Sequence, residues 1–391
     1  MIHDVVVVGG GIGGLATAFA LSRQGLRVKV LEQAASFGEV GAGMQIAPNC
    51  TRILDEWGLL GEVRSLGVRP ENIVMKDAVD GGVLSRLDLH DVERRYGFPY
   101  LVIHRSDLHG TLLRACERAG VELVTDVTVT GYRQTAALHQ GGEERAQVVI
   151  AADGLHSTAR KLFSDDQPVS SAYVAYRGAV PIERVADLDV HLKDVVVHVG
   201  PQCHLVQYPL RGGDMFNQVA VFESARAKAG EADWGTPGEL DAAFARTSGQ
   251  VRDALPLMWR DRWWRMYDRE PLMNWVRGRI ALTGDAAHPP LQYLAQGAVM
   301  AIEDAWVLAT AYTGNWDVAL KKYNAVRPEH CRRVLTTARM WGAFWHHDGE
   351  KRQWRNEVLR ERDVYDYSYV DWLFGPTALT PDRLAAEPSW R

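Results

Sequence analysis

The chain has 391 residues, 47% hydrophobic and 24% charged, a balance that excludes intrinsic disorder. At about 150 residues per domain, this length accommodates two to three domain-sized units. With 49 acidic and 44 basic residues the net charge is −5, so there is no basic nucleic-acid footprint, and no apolar run reaches the roughly 18 residues of a spanning helix.

The opening MIHDVVVVGG has no positively charged leader segment and runs straight into a strand-like run, which predicts no signal peptide and a cytoplasmic location. The β-branched run ending at Val8 reads as a strand buried on both faces of a parallel sheet. A helix around Leu15, Ala18, Phe19 and Leu21 follows, with Gly25 as its stop, and LRVKVLEQ is a second strand. Together these form a β-α-β unit of Rossmann type.

Gly9, Gly11 and Gly14 match G-x-G-x-x-G between that strand and helix. The first glycine makes the tight turn, the second lets the backbone approach a pyrophosphate, and the third lets helix and strand pack closely. Glu32 ends the next strand, where a carboxylate accepts hydrogen bonds from ribose hydroxyls.

Ser106–Gly120 reads as a helix with Ser106 as its N-cap and Gly120 at its C-terminal end. VELVTDVTVTGY alternates like a strand, and QVVIAADG is a buried strand ending in Asp153-Gly154. From about 171 to 280, runs such as YVAYRGAVPI and HLVQYPL predict a separate, mostly antiparallel sheet. RIALTGDAAH returns to the buried-strand pattern and ends at Gly284-Asp285. A helix follows at about 297–312, and from about 320 onward the chain reads as helical and rich in Arg and Trp.

The expected fold is α/β: a Rossmann-like nucleotide-binding domain, an inserted, mostly antiparallel β substrate domain, and a helical tail. The first is assigned to residues 1–75, 100–170 and 275–320, the second to 76–99 and 171–274, and the tail to 321–391.

Several residues invite a bland reading. Cys50, Cys116, Cys203 and Cys331 are far apart, form no CxxC, and read as reduced thiols. Twelve of the 13 tryptophans lie after residue 230, which favours aromatic packing over an aromatic ligand cavity. His346-His347 beside Asp348 lacks a third ligand, so no metal is expected. His288 reads as structural, Trp263-Trp264 as packing and Arg332-Arg333 as surface.

GGGIGG with Glu32, the Asp153-Gly154 segment and GDAAHP at 284–289, in this order, resemble the group A flavoprotein aromatic hydroxylases over nearly the whole chain. FGEVGAGMQIAPN, HRSDLHGTL, VAYRG, QYPLRGG, NQVAVFES, DREP, GDAAHPPLQY and RMWG resemble hydroxybenzoate-acting members. The resemblance implies that the Rossmann-like domain is an FAD-binding domain of the glutathione-reductase type, with the three glycines at the pyrophosphate and Glu32 at the adenosine ribose. Arg105 would lie along the phosphate and ribitol, Val127 would contact adenine through its backbone, and Asp285 would bind the ribitol or pyrophosphate. The backbone of Gln296–Val299, including Gly297 and Ala298, would face the flavin pyrimidine. Asp153 would serve both FAD and the pyridine nucleotide. Without a second G-x-G-x-x-G, NADH would bind only transiently as co-substrate.

The implied reaction is reduction of FAD by NADH, formation of a flavin C4a-hydroperoxide with O2, and hydroxylation of a small aromatic substrate. For 3-hydroxybenzoate, attack para to the hydroxyl gives 2,5-dihydroxybenzoate. His204 is the expected phenol partner, because histidine titrates near working pH. Tyr208, four residues on, shares its strand face and either orients the carboxylate or packs. Gln292 could hold the same hydroxyl. A homodimer is also implied. The chain departs from the family at Ala151, often a glycine, and in a short 131–145 stretch, which weakens the Val127 assignment. Decarboxylating hydroxylation of salicylate or 6-hydroxynicotinate, an FAD-dependent dehydrogenase, and a flavin redox sensor are the alternatives.

Overall fold

The computed structural model describes residues 3–38 and 41–375. Glu39-Val40 of the FGEVGAG motif and residues 376–391 of the expected helical tail lie outside them.

β1 (His3–Val8) is the centre of an eight-stranded sheet. It pairs in parallel with Gly142–Ala151 on one side and with β2 (Val28–Leu31) on the other. Parallel strands are covered on both faces, which is why Val5, Val6 and Val7 are fully buried. α1 (Ile12–Ser22) buries nine of its 11 residues, because it packs between the helices Arg105–Arg118 and Gly297–Ala311. Gly25, just beyond it, has φ +79°.

A seven-stranded sheet runs in the order 264–268, 169–181, 215–223, 203–210, 195–200, 72–77, 83–88. It is antiparallel except where Val195–Gly200 pairs in parallel with Asn72–Asp77. Because of that pairing the sheet claims the chain from residue 72, not 76; a parallel neighbour more than 100 residues away leaves no local sequence signal. The tail also starts earlier than expected. One helix, Trp316–Trp345, crosses the 320/321 boundary without a break.

Ser106 is not an N-cap. The helix begins at Arg105, and the His104 ring accepts from the Ser106 N–H, so the ring nitrogen takes the role expected of the serine hydroxyl. Gly120 has φ +71°, as a helix-stop glycine should.

The four cysteines are free and buried, and burial pushes the Cys116 and Cys203 thiols up to about 12, far from reactive thiolates. Among the described residues, no helix is long and apolar enough to cross a membrane.

Candidate active site

A cavity of about 1060 Å³ runs from the glycine turn after β1 to one face of the seven-stranded sheet. At its first end, Gly9 has φ +105°, and a Cβ there would fall 2.3 Å from the Ala152 carbonyl oxygen. A Cβ on Gly14 would fall 1.9 Å from the Gly9 oxygen, so Gly14 lies behind the turn and permits close helix–strand contact. Gly9 and Gly11 line the cavity itself. Glu32 is anchored at the rim: its carboxylate accepts from the Gly10 N–H at 2.6 Å and the Ala34 N–H at 2.8 Å. Carboxylate oxygens keep further lone pairs for a ribose.

Arg105, Val127, Asp153, Asp285, Gly297 and Ala298 all line the same cavity. Asp153 Oδ2 accepts from the Thr158 N–H at 2.8 Å and from Ala159, while its Oδ1 is buried without a partner. The Val127 N–H is taken by the Glu32 carbonyl at 2.9 Å, so only its carbonyl can meet a ligand. Gly297 opens the helix Gly297–Ala311, whose first turn holds no acidic side chain, leaving its N–H groups and positive end toward the cavity. A cradle closed to any Cβ, an orphaned buried carboxylate oxygen and a helix N-terminus in one long cavity fit a dinucleotide such as FAD.

The other end is lined by His204, Val206 and Tyr208, alternate residues of Cys203–Leu210, with Val219 and Arg177 on neighbouring strands. The expected shared face is therefore present. Tyr208 packs against Gly43, and burial pushes its phenol above the usual range. Gln292, in the turn Gln292–Leu294, places its amide nitrogen 3.4 Å from His204 Nε2.

His204 does not titrate near neutral pH as expected. It is 1% exposed, and burial, reinforced by the neighbouring His346, holds it well below its ordinary value. It is a neutral imidazole with a lone pair to offer.

Beneath the Gly284–Ala286 turn lies a charged cluster that sequence reasoning missed. Asp304, fully buried, accepts from His288 Nε2 at 2.6 Å, Arg327 Nε at 2.7 Å and the Gly284 N–H at 3.0 Å. Burial alone would raise this carboxyl, but His288 and Arg327 outweigh it and hold it at about 2. His288 is structural, as expected. His288, Asp304 and Cys331 sit within 4.8 Å of one another, yet Arg327 bonds both Asp304 and Cys331 and supplies the positive charge there itself.

Two further residues were missed. Arg177 lines the cavity half-buried, its guanidinium 5.5 Å from the Trp264 ring. His346, weighed only as a metal ligand, is the hydrogen-bond partner of His204. Of the tryptophans, only Trp341, Trp345 and Trp372 line the cavity among the described residues; others, such as Trp275, are core.

Residues 3–338 match the family model described as FAD binding domain. The chain is 38% identical over 390 residues to 3-hydroxybenzoate 6-hydroxylase 1 of Aquipseudomonas alcaligenes, covering 96% of this chain and 98% of the relative.

The chain belongs to this FAD-binding family of aromatic hydroxylases.

The hydroxylase is also 35% identical to 3-amino-4-hydroxybenzoate 2-monooxygenase PtmB3 of Streptomyces platensis, covering 95% of both chains. Its fold matches a salicylate hydroxylase substrate complex with a TM-score of 0.80 at 24% identity, over 100% of this chain and 99% of that one. It also matches Klebsiella pneumoniae HpxO complexed with FAD and uric acid, with a TM-score of 0.82 at 24% identity, over 95% and 97%. The protein is a flavoprotein monooxygenase that takes FAD as its cofactor.

Proposed function

We propose that this monooxygenase hydroxylates 3-hydroxybenzoate para to its hydroxyl, giving 2,5-dihydroxybenzoate at the expense of NADH and O2. The observation that carries the reading is the meeting of His204 Nε2 and the Gln292 amide, with Tyr208 on the same sheet face, at the end of the cavity away from the glycine turn.

FAD bound in the cavity supplies the electrons and the activated oxygen for transfer of one oxygen atom to the ring. Gly9, Gly11 and Glu32 would hold its pyrophosphate and ribose end. Asp153, Arg105 and Asp285 would line its middle, and the N–H groups of Gly297 and Ala298 its pyrimidine edge.

The chain's own groups prepare the substrate. The phenol O–H would donate to His204 Nε2, and the Gln292 amide would hold the same oxygen. As the proton moves to His204 Nε2, electron density rises at the ring carbons ortho and para to the phenolate. In 3-hydroxybenzoate the para carbon is C6. Tyr208, whose hydroxyl has no partner among the described residues, would orient the carboxylate. Val206, Tyr293 and Trp345 wall this end and keep water from the reacting carbon.

The test is NADH consumption in air by the FAD-loaded protein with 3-hydroxybenzoate, salicylate, 6-hydroxynicotinate or 3-amino-4-hydroxybenzoate, with products identified by NMR. Strong stimulation by the first, with 2,5-dihydroxybenzoate formed, is expected. The 35% identical relative favours a second reading, an aminohydroxybenzoate as substrate; stimulation by that compound alone would replace the first. The reading includes a homodimer, which light scattering checks.

A further inference from the structure

His204 and His346 lie 142 residues apart, yet His204 Nδ1 and His346 Nε2 are 2.8 Å apart in the buried interior. The two ring centroids are 5.1 Å apart with planes 20° apart, the edge-to-edge arrangement of an in-plane N–H···N hydrogen bond, and Tyr173 stacks on His346 at 4.7 Å and 15°. His346 caps the helix Trp316–Trp345, and its backbone carbonyl accepts from the Gln202 N–H at 3.2 Å, in the turn leading into the His204 strand. Arg355 donates to the Trp345 carbonyl and to Asp77, which also receives Arg352 and Asn356. The helix end that carries His346 is thus clamped to the sheet that carries His204.

Hydrogen placement follows from the donor–acceptor pattern. The Gln292 amide nitrogen is a donor, so His204 Nε2, which it approaches, carries a lone pair. The His204 ring hydrogen is then on Nδ1, and His346 Nε2 accepts it. This requires His346 to be neutral, and burial, with Arg355 nearby, lowers its value to about 3.

We propose that His346 is a positioning residue that locks His204 in its Nδ1–H tautomer, turning the Nε2 lone pair toward the substrate hydroxyl. The inference rests on the phenol-binding reading of His204. When the phenol proton transfers, the O–H bond breaks, an N–H bond forms at His204 Nε2, and the imidazolium stays paired through Nδ1–H to His346 Nε2 opposite a phenolate. Like-charge repulsion from His346 lowers His204 only when His346 is itself protonated; with His346 neutral, its Nε2 accepts from the imidazolium, a hydrogen bond that favours the charged form, so His346 raises the basicity of His204 in the complex. The other titratable or charged groups facing the pair are Tyr173, Tyr293 and Arg355, with Glu223 beyond the two tyrosines.

The test follows phenolate formation by 3-hydroxybenzoate bound to the FAD-loaded enzyme, by absorbance against pH. His346→Phe, which keeps a stacking ring and removes the acceptor, should shift the midpoint upward by about one to two pH units. His346→Gln, with a carbonyl acceptor, should recover part of the shift. An unmoved midpoint in His346→Phe overturns the proposal and leaves His346 as packing. ¹⁵N NMR of histidine-labelled wild type, ligand-free and FAD-loaded, decides independently of any variant: the Nδ1–H tautomer at His204 is expected, and Nε2–H overturns it. Failure of wild type to bind 3-hydroxybenzoate would instead sink the substrate reading, while the tautomer measurement would still stand.

Discussion

Two buried histidines, His204 in the cavity wall and His288 beneath the Gly284–Ala286 turn, are shifted in opposite directions from the ordinary imidazole value. His204 faces another histidine among Tyr293 and Trp345, and burial keeps it neutral. His288 is just as buried, but Cys331 and the Asp304 carboxylate overcome burial and raise it above its ordinary value. The partner, not the depth, decides. The neutral site suits chemistry, because a lone pair is on offer. The charged site suits architecture, because His288, Arg327 and Asp304 brace the Gly284–Ala286 turn against the helix Gly297–Ala311.

The largest effect is expected at the charged site. Asp304→Ala leaves the His288 and Arg327 charges buried without that carboxylate, which should cost about 3–5 kcal/mol of stability by denaturant titration and loosen FAD. A loss under 1 kcal/mol would mean the cluster is not a brace. At the neutral site, His204→Ala should bind FAD normally yet hydroxylate about 10²–10⁴-fold more slowly; a wild-type product yield would remove His204 from the chemistry.

The two sites should also separate by pH. His204, His346 at about 3 and His198 at about 4 sit below their ordinary values in the fold. The unfolded chain therefore protonates first as pH falls below about 6.5, and each such group removes roughly 1.4 kcal/mol per pH unit until its folded value is reached. The contribution of Asp304 has the other window. It is full above roughly pH 4, the unfolded value, and is lost as pH falls toward about 2. Unfolding free energy measured from pH 7 to 4 should fall, and more shallowly in His346→Phe; a flat profile contradicts neutral burial of these rings.

The smallest effect is expected at Gly43, where a Cβ would lie 2.5 Å from Tyr208 Cε2. Gly43→Ala should displace that ring and raise KM for the aromatic acid several-fold with kcat little changed. An unchanged KM would show that Tyr208 does not touch substrate.

The cofactor end was legible because its signals are local. A tight turn, close backbone approach and an acidic strand end lie within about 30 residues, and each demands a particular residue type. The substrate end was legible only in part. His204 and Tyr208 share a face because strands alternate, but nothing local shows that His204 is neutral or what it bonds. Ser106 shows the limit even for local rules, since the neighbouring His104 took its capping role.

By itself, then, the amino-acid sequence determined the β-α-β unit, the glycine turn with Glu32, the second sheet's existence and the pairing of His204 with Tyr208 on one strand. Only the tertiary structure decided that Asn72–Asp77 joins that sheet, that Asp304 lies beneath the cofactor turn, and that His346 meets His204 across 142 residues. Chain-local patterns record turns and periodicity, which act over a few residues. Charge state and hydrogen-bond partnership in a buried site depend on groups that only folding brings within 3 Å.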